Sequence, residues 1–154
     1  MSQDQARPSG RSTAAVDTQT KADIAVRGFW RRQTTGYFDV RITDSDAPSY
    51  RGMPPEKVLQ KHEAEKKAKH LDRCLGAGAQ FTPLCFTVDG LMGEETAAAG
   101  KRLASLLAAK WKRAYSHICG FVRSRLVFSL VRATSLCLRG DRNPAAPHRG
   151  VCFD

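Results

Sequence analysis

Two short stretches alternate apolar and polar side chains, and this alternation limits the chain more than any other feature. Tyr37 to Thr43 (YFDVRIT) sends Phe38, Val40 and Ile42 to one side and Tyr37, Asp39, Arg41 and Thr43 to the other. Asp23 to Arg27 (DIAVR) repeats the pattern with Ile24 and Val26. A period of two belongs to a half-buried strand, so both stretches read as strands, joined through a polar turn at residues 31–36 as a hairpin or as neighbours in a sheet.

Beyond residue 43 the chain reads as helices interleaved with one more strand. Residues 44–55 hold three Pro and one Gly and read as a loop; Pro54 or Pro55 in a first turn, with Glu56 after it, opens a helix expected to run from about 55 to 75. Its charges are dense and mixed, and Glu63 with Lys67 and Glu65 with Lys69 stand at the i, i+4 spacing of an exposed face. Gly76 and Gly78 stop it. Phe81 to Val88 is a third strand, and Pro83 within it argues for an edge or a strand start. After a turn at Asp89 to Gly93, a helix over 96–115 carries Leu103, Leu106, Leu107 and Trp111 on one face. Ser116 is the expected N-cap of a last helix reaching about Leu138 and ended by Gly140. The expectation is an α/β fold, a small mixed sheet of about three to four strands packed by three helices.

The ends read differently. Residues 1–20 contain a single large aliphatic residue, Val16, and residues 143–154 contain Pro144, Pro147 and Gly150. Neither stretch buries enough to offset the entropy of ordering, so both are expected to be disordered, around an ordered domain at 21–142.

Composition excludes several classes. With 154 residues and 42% hydrophobic side chains the chain supports one modest core, not a large multidomain enzyme. No stretch approaches the ~20 apolar residues of a membrane span, and the N-terminus is polar where a signal peptide would be apolar. The expectation is a soluble intracellular protein, nuclear or cytoplasmic and not secreted, with membrane contact disfavoured. Five Cys, an odd number without a C-x-x-C pair, indicate neither a disulfide-linked partner nor a structural zinc site. The net charge is +10, and residues 101–142 concentrate it, with ten Lys and Arg against the single acid Asp141. Such asymmetry fits a polyanionic partner, DNA or RNA. On the last helix Arg125, Arg132 and Arg139 recur every seven residues and so form a stripe suited to phosphates. A solvent-facing edge of a core helix is the competing reading, and docking on an anionic membrane a third.

Asp23 and Asp39 are the acids with most chemical promise. On neighbouring strands, in a register that brings them together, they would share one divalent cation. Without it, two carboxylates ~4 Å apart repel by about 4 kcal/mol at an effective dielectric near 20. Magnesium removes that penalty and carries water to a phosphodiester. The competing reading makes both ordinary strand-end or surface acids.

The run Ala22-Asp23-Ile24, followed at a hairpin's distance by Phe38-Asp39-Val40-Arg41, resembles the PD-(D/E)XK signature in the form found in restriction-like endonuclease domains of non-LTR retrotransposons. There an Asp on one strand, an Asp-Val pair on the next and a Lys-x-x-Lys-Tyr helix segment form the site. Lys66-Lys67-Ala68-Lys69-His70 is similar to that segment, with His70 in place of Tyr. HEAEKKAKH, FTPLCFTVDGLMG and SLCLRGDR are similar to C-terminal sequences of retroelement-derived proteins. The resemblance covers residues 21–142 and implies an N-terminally truncated restriction-endonuclease-like fold and magnesium-dependent hydrolysis of DNA. It assigns Asp23 and Asp39 as metal ligands and Arg41, Lys66 and Lys69 as the basic groups at the scissile phosphate. Ala22 replaces the family's Pro, and Arg41 replaces a Lys that many members carry. Because Arg does not give up its proton, water activation falls to Lys66 or Lys69. A non-catalytic nucleic-acid-binding module and a vestigial fragment are the alternatives.

Other combinations rank lower. His62 and His70 with Glu63 and Glu65 do not form H-E-x-x-H, and a solvated helix face accounts for them. Cys85 and Cys119 lack a partnering base, and no glycine run makes a phosphate loop.

Overall fold

A computed structural model describes residues 22–139. The expected disorder of 1–20 and 143–154 and the helix stop at Gly140 lie outside the described residues. Three strands, β1 (Ile24–Arg27), β2 (Thr35–Thr43) and β3 (Gln80–Thr87), form one sheet in the order β1-β2-β3. β1 runs antiparallel to β2 with Ile24 opposite Phe38; β3 runs parallel to β2 with Asp39 opposite Pro83. The turn between β1 and β2 leaves the ladder at Gly28, whose φ of +81° favours glycine. Parallel neighbours need a crossover, and α1 (Pro55–Gly76) supplies it. α2 (Glu94–Trp111) and α3 (Tyr115–Arg139) complete the three helices. The described residues thus form an α/β fold, a three-stranded mixed sheet packed by three helices.

Each face of the sheet takes one helix. Phe38 packs with Phe29 and Ala99 of α2, with Trp30, Leu84 and Leu103 around them. On the opposite face Phe81 meets Cys74 at the end of α1 and Ala79, with Tyr37 and Leu71 beside them. α3 packs on α2, where Ile118 and Val122 close over Ala104. Pro83 sits where its missing N–H costs no ladder bond. Cys85 and Thr87, two and four residues on, turn their N–H groups away from β2, to Thr96 Oγ1 at 2.8 Å and to the Leu91 carbonyl at 2.9 Å. By the period of two, residue 83 faces the same outer edge.

Three expectations change. The polar face of β2 is not solvated: α1 lies over it, and its polar side chains supply the partners that make burial tolerable. The i, i+4 pairing of α1 is replaced by tertiary pairing, since Glu63 is buried, Lys67 meets Glu95 of α2 and Glu65 meets Arg41 of β2. α3 begins at Tyr115, before Ser116, because the left-handed Lys112 ends α2 at Trp111 and returns the chain early.

Candidate functional site

The site grows from β2. Alternation puts Asp39, Arg41 and Thr43 on one face, and α1 meets them with residues spaced three and four apart. Lys66 Nζ donates to Asp39 Oδ2 at 2.5 Å, and His70 Nε2, one helical turn on, lies 3.8 Å from the same oxygen. The Asp39 side chain is 14% exposed, so its pairing acts in a partly desolvated setting where charge interactions exceed those of surface pairs. Phe81 supports His70 from below, ring centroids 5.3 Å apart. Arg41 donates to Glu65 Oε2 at 3.0 Å, but this pair is more exposed and contributes roughly 0–1 kcal/mol.

Thr43 Oγ1 and the Tyr50 hydroxyl lie 3.1 and 3.0 Å from the two ring nitrogens of His62, which is 1% exposed. Burial, and next the positive charge of Arg41, push the His62 pKa below its ordinary value, so the ring is held neutral. It ties β2, α1 and the loop carrying Tyr50 together and has no room to hold a ligand.

Asp23 lies one step before β1, and the register that sets Ile24 against Phe38 sets Asp23 against Asp39. Directly opposed positions of an antiparallel pair share a face. The Asp23 carboxylate is engaged locally, accepting the Val40 N–H at 2.7 Å, and is exposed. Of the residues singled out from sequence, Asp39 and Lys66 are therefore in contact, Asp23 is in register with them, and Arg41 is a β2 neighbour turned to Glu65. Lys69 is exposed, away from Asp39's partners. Arg125, Arg132 and Arg139 lie exposed on α3, the helix that packs on α2. Among the described residues no group of three or more His, Cys, Asp or Glu is placed to hold a metal ion.

Two residues escaped the sequence reading. His62 and Glu63 look like part of a solvated charged helix, yet both are buried; the only signal is that they continue the seam of Val58 and Leu59 at helical spacing. His70, named from sequence only as standing in place of Tyr, lies beside Asp39. The Glu63 carboxylate accepts the Glu95 N–H at 3.1 Å and also the Thr96 N–H, capping α2 from another helix where Gly93 offers no side chain. A Cβ on Gly93 would come within 2.8 Å of the Glu63 carboxyl carbon, so this close approach requires glycine. Burial pushes the Glu63 pKa up against those hydrogen bonds. Cys85 is fully buried and its thiol is pushed up to about 11, first by burial and then by Glu63, which makes it inert at neutral pH. No disulfide forms among the described cysteines, and no helix among the described residues is long and apolar enough to cross a membrane.

Comparison with protein-family models, with curated proteins and with solved structures returns no match.

Proposed function

We propose that the chain is a metal-dependent DNA endonuclease-type domain of the restriction-like class, hydrolysing phosphodiester bonds at a site centred on Asp39. One observation carries the reading: residues far apart in sequence converge in the order the resemblance requires. Asp23, one residue before β1, falls opposite Asp39 when the β1–β2 register is extended by one step, and the helix after β2 brings Lys66 and His70 onto the Asp39 carboxylate. The donor chemistry suits magnesium, which takes hard oxygens, commonly one or two carboxylates with waters and substrate phosphates completing its shell. Asp39 and Asp23 would hold it, and when bound it would supply a Lewis acid and a water of lowered pKa.

The side chains divide the remaining work. Lys66 balances the Asp39 charge and, on release, presents its ammonium to a phosphate. Of the two helix lysines, contact with Asp39 favours Lys66 over Lys69. Arg41 keeps its charge at any working pH, so it stabilises a phosphate without moving a proton. The stripe of Arg125, Arg132 and Arg139 would bind the DNA backbone. With supercoiled plasmid and magnesium, the wild type is expected to nick and Asp39→Asn to be inactive while keeping or slightly raising DNA affinity in metal-free buffer. Nicking that survives Asp39→Asn overturns the assignment.

A second reading, a nucleic-acid-binding module without catalysis, is favoured by a specific pair of contacts: Asp23 is engaged with Val40 and Arg41 with Glu65. On that reading the wild type does not nick, and magnesium weakens binding only as a competing cation.

A further inference from the structure

The hairpin of α2 and α3 carries exposed aromatic side chains that the proposed function does not use. Its turn is an open cleft of about 410 Å³ lined by Trp111, Arg113, His117, Ile118 and Phe121. The rings of Trp111 and Phe121 meet edge to face, centroids 5.6 Å apart, and remain 44% and 47% exposed. Beyond the cleft, Arg125, Phe128 and Arg132 follow Phe121 at four, seven and eleven residues, which on an α-helix is a single stripe. Phe128 is 72% exposed. α3 contains four Arg and no acid, and none of the four forms an ion pair with a carboxylate of the described residues.

Exposed aromatic rings interleaved with unpaired guanidinium groups need a partner that offers flat π-faces and negative charge together. A second copy of the chain meets the same stripe with four more Arg and is repelled. In a duplex the base faces are stacked on one another, and the backbone and the base edges are what a protein reaches. A bilayer would take the exposed arc of Val127, Phe128, Val131 and Leu138 but would leave the cleft of Trp111, Arg113 and Phe121 at the turn unfilled. Single-stranded nucleic acid satisfies both demands, because unpaired bases stack on aromatic side chains while the backbone tracks the positive charge. Phe121 and Phe128 are seven residues apart, about 10.5 Å along the axis, a span that nucleotides of an extended strand bridge.

We infer that this face is a track for single-stranded nucleic acid, with bases on Trp111, Phe121 and Phe128 and phosphates on Arg113, Arg125 and Arg132. It shares with the proposed function the class of partner and the arginines Arg125 and Arg132, and depends on neither Asp39 nor magnesium. The test uses the full chain in EDTA and measures anisotropy of a labelled oligothymidylate of about 20 nucleotides, a duplex of equal length, and phosphatidylserine-containing vesicles. The single strand is expected to bind roughly tenfold more tightly than the duplex, and Phe128→Ala to remove roughly tenfold of that affinity. Trp111 emission is expected to be quenched on binding, and the quench to vanish in Trp111→Phe, a change whose folding is checked by circular dichroism. Duplex binding as tight as the single strand, or an unchanged affinity in Phe128→Ala, overturns the track. Vesicle binding without oligonucleotide binding overturns it in favour of a lipid surface. The plasmid assay requires magnesium and cleavage whereas the track is measured in EDTA as binding alone, so a failed plasmid assay and a failed track are read separately.

Discussion

His62 and Glu63 are adjacent on the buried seam of α1 but meet different neighbours, and their ionisation pulls stability in opposite directions. His62 has a lowered folded pKa, so its contribution is complete above the unfolded value of 6.5 and is lost as pH falls through the folded pKa. Glu63 has a raised folded pKa, so its contribution is complete below the unfolded value of 4.5 and is lost as pH rises through the folded one. Urea midpoints taken from pH 7.5 downward are expected to show His62→Gln losing the wild type's decline below pH 6.5. Glu63→Gln is expected to be at least as stable as the wild type at pH 7, since it keeps an acceptor for the α2 amides without a buried charge, and to lose that standing as pH falls toward 4.5. A Glu63→Gln protein that is less stable at pH 7 and equal at pH 4.5 would reverse the sign assigned to burial.

Between elements, the α1 to α2 contact is set by one absent side chain. Gly93→Ala places a methyl group against the Glu63 carboxyl and is expected to cost about 1–3 kcal/mol, the range of overpacking. In a Glu63→Ala background the same change is expected to cost much less, a coupling that a double-mutant cycle of denaturation midpoints measures. This contact also marks how far the sequence could be read. The strands were legible because Phe38 and Val26 alternate with polar residues, and the breaks were legible because Gly76, Gly78 and the prolines leave few other conformations. The pairing of α1 was not, because Glu63 with Lys67 and Glu65 with Lys69 satisfy the local i, i+4 rule as well as Glu63, Glu65 and Lys67 satisfy their tertiary partners, and only the partners' positions choose between them. Asp39 was legible as a candidate from its strand position; that Asp23 spends its carboxylate on the Val40 amide is a matter of side-chain direction, which spacing does not encode.

For the molecule as a whole, charge and apolar surface are segregated onto α3. If its arginines hold phosphates, binding to duplex DNA is expected to weaken with salt at a logarithmic slope of about −0.9 per neutralised phosphate. Replacing Arg125, Arg132 and Arg139 together by Ala is then expected to flatten that slope, measured by titration across salt concentrations; an unchanged slope would make the three arginines solvent residues only. α3 rests chiefly on α2, through Ile118 and Val122 against Ala104, whereas β3 is hydrogen-bonded on one side to β2 and on the other to Thr96 and the 91–93 loop. Transferred to heavy water, the molecule is therefore expected to keep two clocks. The amides of Cys85 and Thr87 exchange only through global opening, and those from Phe121 to Arg139 through a smaller opening that leaves the sheet intact. Ligand bound along α3 slows both clocks by a common factor, since either opening must first release it.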